Sequence, residues 1–138
     1  MSPDKSCPCD PSRAYTQCCG RFIDGGQRPE TAEQLMRSRY SAFALGREDY
    51  LLLTWHDSTR PPVLDLARAP VPKWLGLSIV RCEAGGPTDD DGVVEFVARF
   101  KVGGKAERLH EVSRFRCEAG QWFYVDGRSP DGRPDGRP

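Results

Sequence analysis

Trp74-Leu75-Gly76-Leu77-Ser78-Ile79-Val80-Arg81-Cys82 is where the chain changes period, and that change decides the fold. Upstream, apolar residues recur at helical spacing; from Trp74 onward the pattern is that of strands. After an acidic turn over Gly85–Gly92, Val93–Val102 reads as a second strand with Phe96, Ala98 and Phe100 on one face. Gly103-Gly104 makes a hairpin connection, Ala106–Cys117 a third strand and Gln121–Asp126 a fourth. Upstream, Thr31 with Gln34 three residues on forms a capping-box pattern. Ala32, Leu35, Met36, Tyr40, Phe43 and Ala44 carry the stripe of the helix that follows, and Gly46 stops it. A second helix is predicted from near Arg47, carrying Tyr50, Leu51, Leu52, Leu53 and Trp55, and a short third one between prolines in Val63–Lys73. Helices first and an antiparallel meander after them predict an α+β fold with helices covering one face of the sheet.

Before the first helix stands Cys7-Pro8-Cys9-Asp10-Pro11-Ser12-Arg13-Ala14-Tyr15-Thr16-Gln17-Cys18-Cys19-Gly20. A C-x-C pair, a gap of eight residues and an adjacent C-C pair can wrap one metal ion tetrahedrally, with Cys7, Cys9, Cys18 and Cys19 as ligands. Disulfides are the competing use. Bonding within either doublet closes a strained ring, whereas pairing across the doublets is open to the chain. No charged segment followed by an apolar run begins the sequence, so a reducing, cytoplasmic setting is expected, where clustered thiols serve as metal ligands. Structural zinc is the expected occupant, with iron and cross-paired disulfides as alternatives. A closed shell of four thiolates leaves no position for water, which makes the ion a folding staple. Pro8 and Pro11 stiffen the loop, Ser12 is placed to cap a short helical turn over Arg13–Gln17, and Gly20 offers a left-handed turn after Cys19.

The bulk composition excludes several classes. The 138 residues carry twenty basic and twenty acidic side chains, so no global basic field points to nucleic acid. No apolar run is long enough to cross a bilayer. Residues 1–28 are expected to form the cysteine motif and its connector, 29–127 the α+β domain, and 128–138, with its repeated Asp-Gly-Arg-Pro, a disordered tail. Cys82 and Cys117 each sit in Arg-Cys-Glu-Ala-Gly before a turn; the echo reads as shared hairpin chemistry, with both cysteines as small buried hydrophobes.

The cysteine loop resembles the SEC-C motif, a short zinc-binding element, in its ligand spacing, Tyr15 and Gly20. It departs from that motif at Asp10-Pro11-Ser12-Arg13-Ala14 and at Thr16 and Gln17, where lysines are usual, which weakens an expectation of binding to nucleic acid or the ribosome. The body resembles the YchJ-like family of small bacterial proteins. The resemblance rests on Gln34–Phe43, Thr54-Trp55-His56, Trp74-Leu75-Gly76-Leu77, Val94–Phe100, Glu111, Ser113-Arg114-Phe115 and Trp122–Gly127. It implies a nuclear-transport-factor-2-like domain, in which a curved antiparallel sheet and its helices form a cone with a cavity. Two departures stand out: the Asp-Gly-Arg-Pro tail where many relatives carry a second cysteine motif, and Val112 where an arginine is common.

The candidate residues for a site in such a cone are Tyr40, Trp55, Arg99, Glu111 and Ser113. Glu111 lies between Leu109 and Phe115 on an apolar face, which fits either a general base with a raised pKa or a structural ion pair with Arg37, Arg39 or Arg99. The ion pair is the favoured reading. Arg37 and Arg39 point about 200° apart on their helix and form no joint anion patch. His56 is placed to cap a helix end, and His110 falls on the strand face opposite Glu111. No nucleophile elbow or phosphate loop is present. The sequence therefore predicts a zinc-binding interaction protein that docks a protein partner through its cysteine knob. The alternative is a small-molecule-binding protein or an isomerase- or dehydratase-like enzyme; homodimerisation through a sheet face is a third possibility.

Overall fold

A computed structural model describes residues 5–66 and 71–130. The Asp-Gly-Arg-Pro repeat of residues 131–138 lies outside the described residues. After a short turn of helix at Gly20–Ile23 (α1), the helix predicted from Thr31 runs over Ala32–Leu45 (α2). Thr31 caps α2 by accepting the Gln34 N–H, and Gln34 Oε1 reaches back to accept the Glu30 N–H at 2.7 Å. Gly46 ends it in the left-handed conformation with φ 70°, which a side chain would oppose. A second helix, Glu48–Leu53 (α3), stops before Trp55, whose segment instead bridges in parallel to Tyr124. No helix forms in residues 63–66 or 71–72 of the Val63–Lys73 stretch, and residues 67–70 lie outside the described residues. Pro61, Pro62, Pro70 and Pro72 disfavour helix in the residues before them.

The four C-terminal strands are Lys73–Ala84 (β3), Asp91–Val102 (β4), Lys105–Glu118 (β5) and Gln121–Arg128 (β6), antiparallel in the order β3-β4-β5-β6. Bulges between Trp74 and Gly76 and between Ile79 and Arg81 bend the edge strand β3. The inner face presents Val94, Phe96, Ala98, Phe115 and Trp122 to Leu35, Met36 and Tyr40 of α2 and Leu51 of α3, and Phe100, also buried, packs on the Trp74 ring. No described helix is long and apolar enough to cross a membrane.

The outer face is charged. Arg81 and His110 both bond Glu95 at 2.7 Å, and Arg114 donates to Asp126 from Nε at 2.7 Å and Nη2 at 2.5 Å. The Arg114 hydrogen bonds hold the Asp126 carboxyl below the usual aspartate range. A depressed folded value gives stabilisation that is present above the unfolded pKa of about 3.9 and lost as pH falls through the folded one. Removing the partner in Arg114→Ala should cost at most about 1 kcal/mol at pH 7, since water screens both ends. The difference from wild type should shrink towards pH 3 in urea titrations; a constant difference would assign the loss to packing.

The echoed Arg-Cys-Glu-Ala-Gly strings do share a backbone. Ala84 and Gly85 have φ 51° and 79°, and Ala119 and Gly120 have φ 52° and 78°. Neither cysteine is fully buried: Cys82 is exposed, where its strand end runs past the core, and Cys117 is half-buried at the core's edge. Ala119-Gly120 is the entire β5–β6 turn, of the kind that favours Asn-Gly. Ala119→Asn should relieve the positive-φ alanine and raise stability by about 0.5–1 kcal/mol, read as a higher denaturation midpoint with unchanged slope.

Candidate metal centre

Strand β1 (Ser6–Cys7) pairs antiparallel with β2 (Asp10–Ala14), carrying Cys7 at its end and Cys9 in the connecting turn. A 3-10 turn at Tyr15–Gln17 then delivers Cys18, and Cys19 opens α1. Ser12 does not cap that turn. It lies in β2, and its N–H and hydroxyl both donate to Asp10 Oδ1, a local alternative that serine readily takes. Nor is Gly20 left-handed: it begins α1, and its role is close approach. A β-carbon there would stand 2.7 Å from the Tyr15 carbonyl oxygen and 2.9 Å from the Tyr15 ring. Tyr15 is itself tied down, its hydroxyl donating to Asp24 at 2.7 Å.

The four cysteine sulfurs all lie within 4.8 Å of one another, and each cysteine is at most 3% exposed. Cys7–Cys9 is 3.6 Å, Cys9–Cys18 3.5 Å and Cys9–Cys19 3.5 Å. A tetrahedral set of thiolates with metal–sulfur bonds of about 2.3 Å has edges of about 3.8 Å, so these residues fit a single ion with little movement. As thiols they share charge poorly. Hydrogen bonding with Cys19, Cys9 and Ser41 holds Cys7 far below its usual range, and the same interaction with Cys7 pushes Cys19 far above its own. Cys9 is pushed up to about 12, the lowering by Cys19 being outweighed by Cys7 and burial. A bound cation would stabilise the four sulfurs together as thiolates.

The loop is seated on the domain. Cys7 Sγ lies 3.5 Å from Ser41 Oγ, and Arg37 reaches from α2 towards the Cys9 carbonyl at 3.5 Å while pairing with Glu33 at 2.9 Å. Arg21 donates to the Cys18 carbonyl at 2.9 Å and lies over the Phe22 ring; Arg13 donates to the Gln17 carbonyl. Four thiolates around a divalent ion remain a net anion, and these three arginines line the cleft beside Cys18 and Cys19. Within the motif, Arg13 alone gives this face a positive charge. Arg21 and Arg37 lie outside the motif, and only the seating of the loop on α2 brings them in.

The proposed cone site divides. Tyr40, Glu111 and Ser113 line one cavity of about 50 Å³ together with Arg39 and Tyr124. Trp55 and Arg99 are not among its walls. Trp55 instead lies over the Arg39 guanidinium, and Arg99 belongs to the outer face. Arg39 is 4% exposed and donates to the Leu51 carbonyl at 2.8 Å and Thr54 Oγ1 at 2.7 Å, with its carbon 4.6 Å from the Tyr124 ring centre. Burial pushes this guanidinium down to about 10, with Tyr124, Tyr50 and Glu111 opposing, so it stays cationic at neutral pH. Ser113 donates to the Glu111 carboxylate, which lies against Gly127. Of the three arginines considered for Glu111, Arg39 is the one in its cavity. His56 caps no helix carbonyl; its ring bonds Ser58 at 2.7 Å and Glu118 at 3.0 Å. The backbone bridge from His56 N–H to the Tyr124 carbonyl turns it towards β6.

The packing of Glu111 on Gly127 can be probed directly. Gly127→Ala would drive a methyl group into the carboxylate and should cost about 1–3 kcal/mol in chemical denaturation. In a Glu111→Ala background the same change should cost distinctly less; equal losses in both backgrounds would show that the methyl meets something else.

A family model described as "YchJ, middle NTF2-like domain" matches residues 31–127. A UPF0225 protein of Chromobacterium violaceum is 60% identical over 124 residues, covering 88% of this chain and 91% of that protein. One from Ralstonia nicotianae is 52% identical over 136 residues, covering 91% and 92%. Among solved structures, a SEC-C motif containing protein from Rhodopseudomonas palustris superposes with TM-score 0.79 at 34% identity, covering 90% of this chain and 98% of that one. A second, from Psychrobacter arcticus, gives 0.72 at 30% identity, covering 88% and 81%. With a nuclear-transport-factor-2-like body behind a SEC-C cysteine motif, the chain belongs to the YchJ-like family, whose activity is uncharacterised.

Proposed function

We propose that the cysteine cluster holds a structural zinc ion and that the knuckle it stabilises docks a protein partner in the cytoplasm. The observation that carries the metal half is closure: four sulfurs within 4.8 Å of one another, each cysteine at most 3% exposed, offer an ion four ligands and no open position. Soft thiolates in tetrahedral array suit zinc, and an ion so enclosed supplies folding energy and no Lewis acidity to a substrate. The docking half is supported by what the knuckle displays. Pro11, Ser12 and Arg13 are exposed on β2, a strand held in place by the cluster and by α2. The alternative, a ligand within the cone, has a cavity of about 50 Å³ available. Ligand pockets commonly start near ~300 Å³.

Protein purified without added metal should contain one zinc per chain by mass spectrometry. Stripping it with a strong chelator should lower the melting temperature by about 10 °C or more, reversibly on adding zinc back. For docking, wild-type protein should retain a partner that is lost from a Cys18→Ser, Cys19→Ser variant and also from Pro11→Asp, which leaves every sulfur in place. Retention by both variants would reduce the zinc to a staple.

A further inference from the structure

The outer face of the sheet is charge-balanced along most of its length and unbalanced at one corner. Arg81, His110, Arg114 and Arg116 each have a carboxylate within 4 Å. Where β3 begins, β4 ends and β5 begins, the register sets Lys73 opposite Lys101 and Arg99 opposite Arg108. All four side chains are exposed, and none forms an ion pair with any described residue; the nearby Lys105 takes Glu107 at 3.8 Å. Like charges directly across a ladder are destabilising. The carboxylate nearest in sequence, Glu107, lies opposite Phe100 on the other face of the sheet.

This corner adjoins a second unexplained feature. A cleft of about 330 Å³ separates the cysteine knuckle from the start of β3, walled by Pro8 and Pro11 on one side and Trp74, Leu75 and Leu77 on the other, with Arg99 also lining it. Arg99 lies across Gly76, where a β-carbon would occupy the place of its guanidinium. Leu75 is 45% exposed. Arg99 is therefore common to an apolar slot and a four-cation surface.

We infer that this corner binds an acidic protein segment, its carboxylates on Lys73, Arg99, Lys101 and Arg108 and one apolar side chain in the slot between knuckle and β3. The inference rests on the docking reading above and names the chemistry of the partner. Charge complementarity selects an anionic occupant, and the slot distinguishes the kind. A phosphate backbone needs no apolar recess, and the aromatic ring of the slot, Trp74, is half-buried and packed on Tyr40, Phe43 and Phe100 instead of standing free for a base to stack on. A peptide with an apolar anchor uses both features. The knuckle contributes one wall, so losing its metal would open the slot.

The test uses the full-length zinc-loaded protein and fluorescein-labelled peptides of glutamates with one central leucine, read by anisotropy across a salt series. The peptide should bind with a strong salt dependence. Replacing its leucine by glycine should weaken binding about tenfold, as should Leu75→Ser in the protein. Arg99→Glu with Lys101→Glu should abolish binding yet raise the melting temperature, because it replaces like-charge cross-strand pairs by opposite ones. Equal affinity for oligouridylate, indifference to the leucine, or undiminished binding by the charge-reversed protein would overturn the inference, as would no binding by wild type. A partner lost on metal removal and kept by the charge-reversed protein would leave the docking reading standing and remove this one.

Discussion

The Arg39 guanidinium joins the helical layer to the sheet. It is carried by α2, donates to the carbonyl at the end of α3 and to Thr54 just beyond, and is enclosed by the rings of Trp55 and Tyr124. A buried cation is tolerable only when its donors and its charge are answered. Here carbonyl and hydroxyl oxygens, two π-faces and the field of Glu111 answer it together. The segment after α3 is thereby drawn onto β6, where Tyr124 exchanges backbone hydrogen bonds with Thr54 and His56. One edge of the sheet is covered by that exchange, and the other is bent by bulges. The cavity left between Arg39 and Glu111 among the described residues measures about 50 Å³.

Knuckle and core meet at α2. Arg37 and Arg39 leave the helix in nearly opposite directions, as 3.6-residue geometry requires. One reaches the cysteine loop and the other the core. Ser41, fully buried, faces the Cys7 sulfur, and Ser38 bonds Tyr50 of α3 at 2.7 Å. A single helix therefore holds the knuckle on one side and the sheet on the other.

Much of this was legible because periodicity and capping are local. Thr31, Gln34 and Gly46 bounded α2 correctly, and alternation located all four long strands to within a few residues. The cysteine spacing brought four sulfurs together because short loops between ligands leave the chain few alternatives. What failed was a choice between two local partners at Ser12, which took Asp10 over a helix cap, and otherwise contacts that are not local: His56 found Glu118 across more than sixty residues, and Cys82 emerged into solvent because its strand outruns the core. The split of the cone residues had a readable cause. Arg99 alternates with Ala98 and Phe100, so period-two logic already placed it outside, whereas the folding of Trp55 against Arg39 depends on a tertiary bridge.

The seating of the knuckle on α2 has a consequence for how the molecule comes apart. A zinc element on a flexible tether melts on its own, and its host is indifferent. Here Cys7 meets the buried Ser41 and Cys9 is reached by Arg37 of the same helix, contacts that predict one cooperative unit. Amide protons in α2 should exchange at a rate that follows metal occupancy, and calorimetry of the loaded protein should show a single transition; two resolved transitions would show the halves to be autonomous. The segment that looks most like an appendage in the sequence is in energetic terms part of the wall.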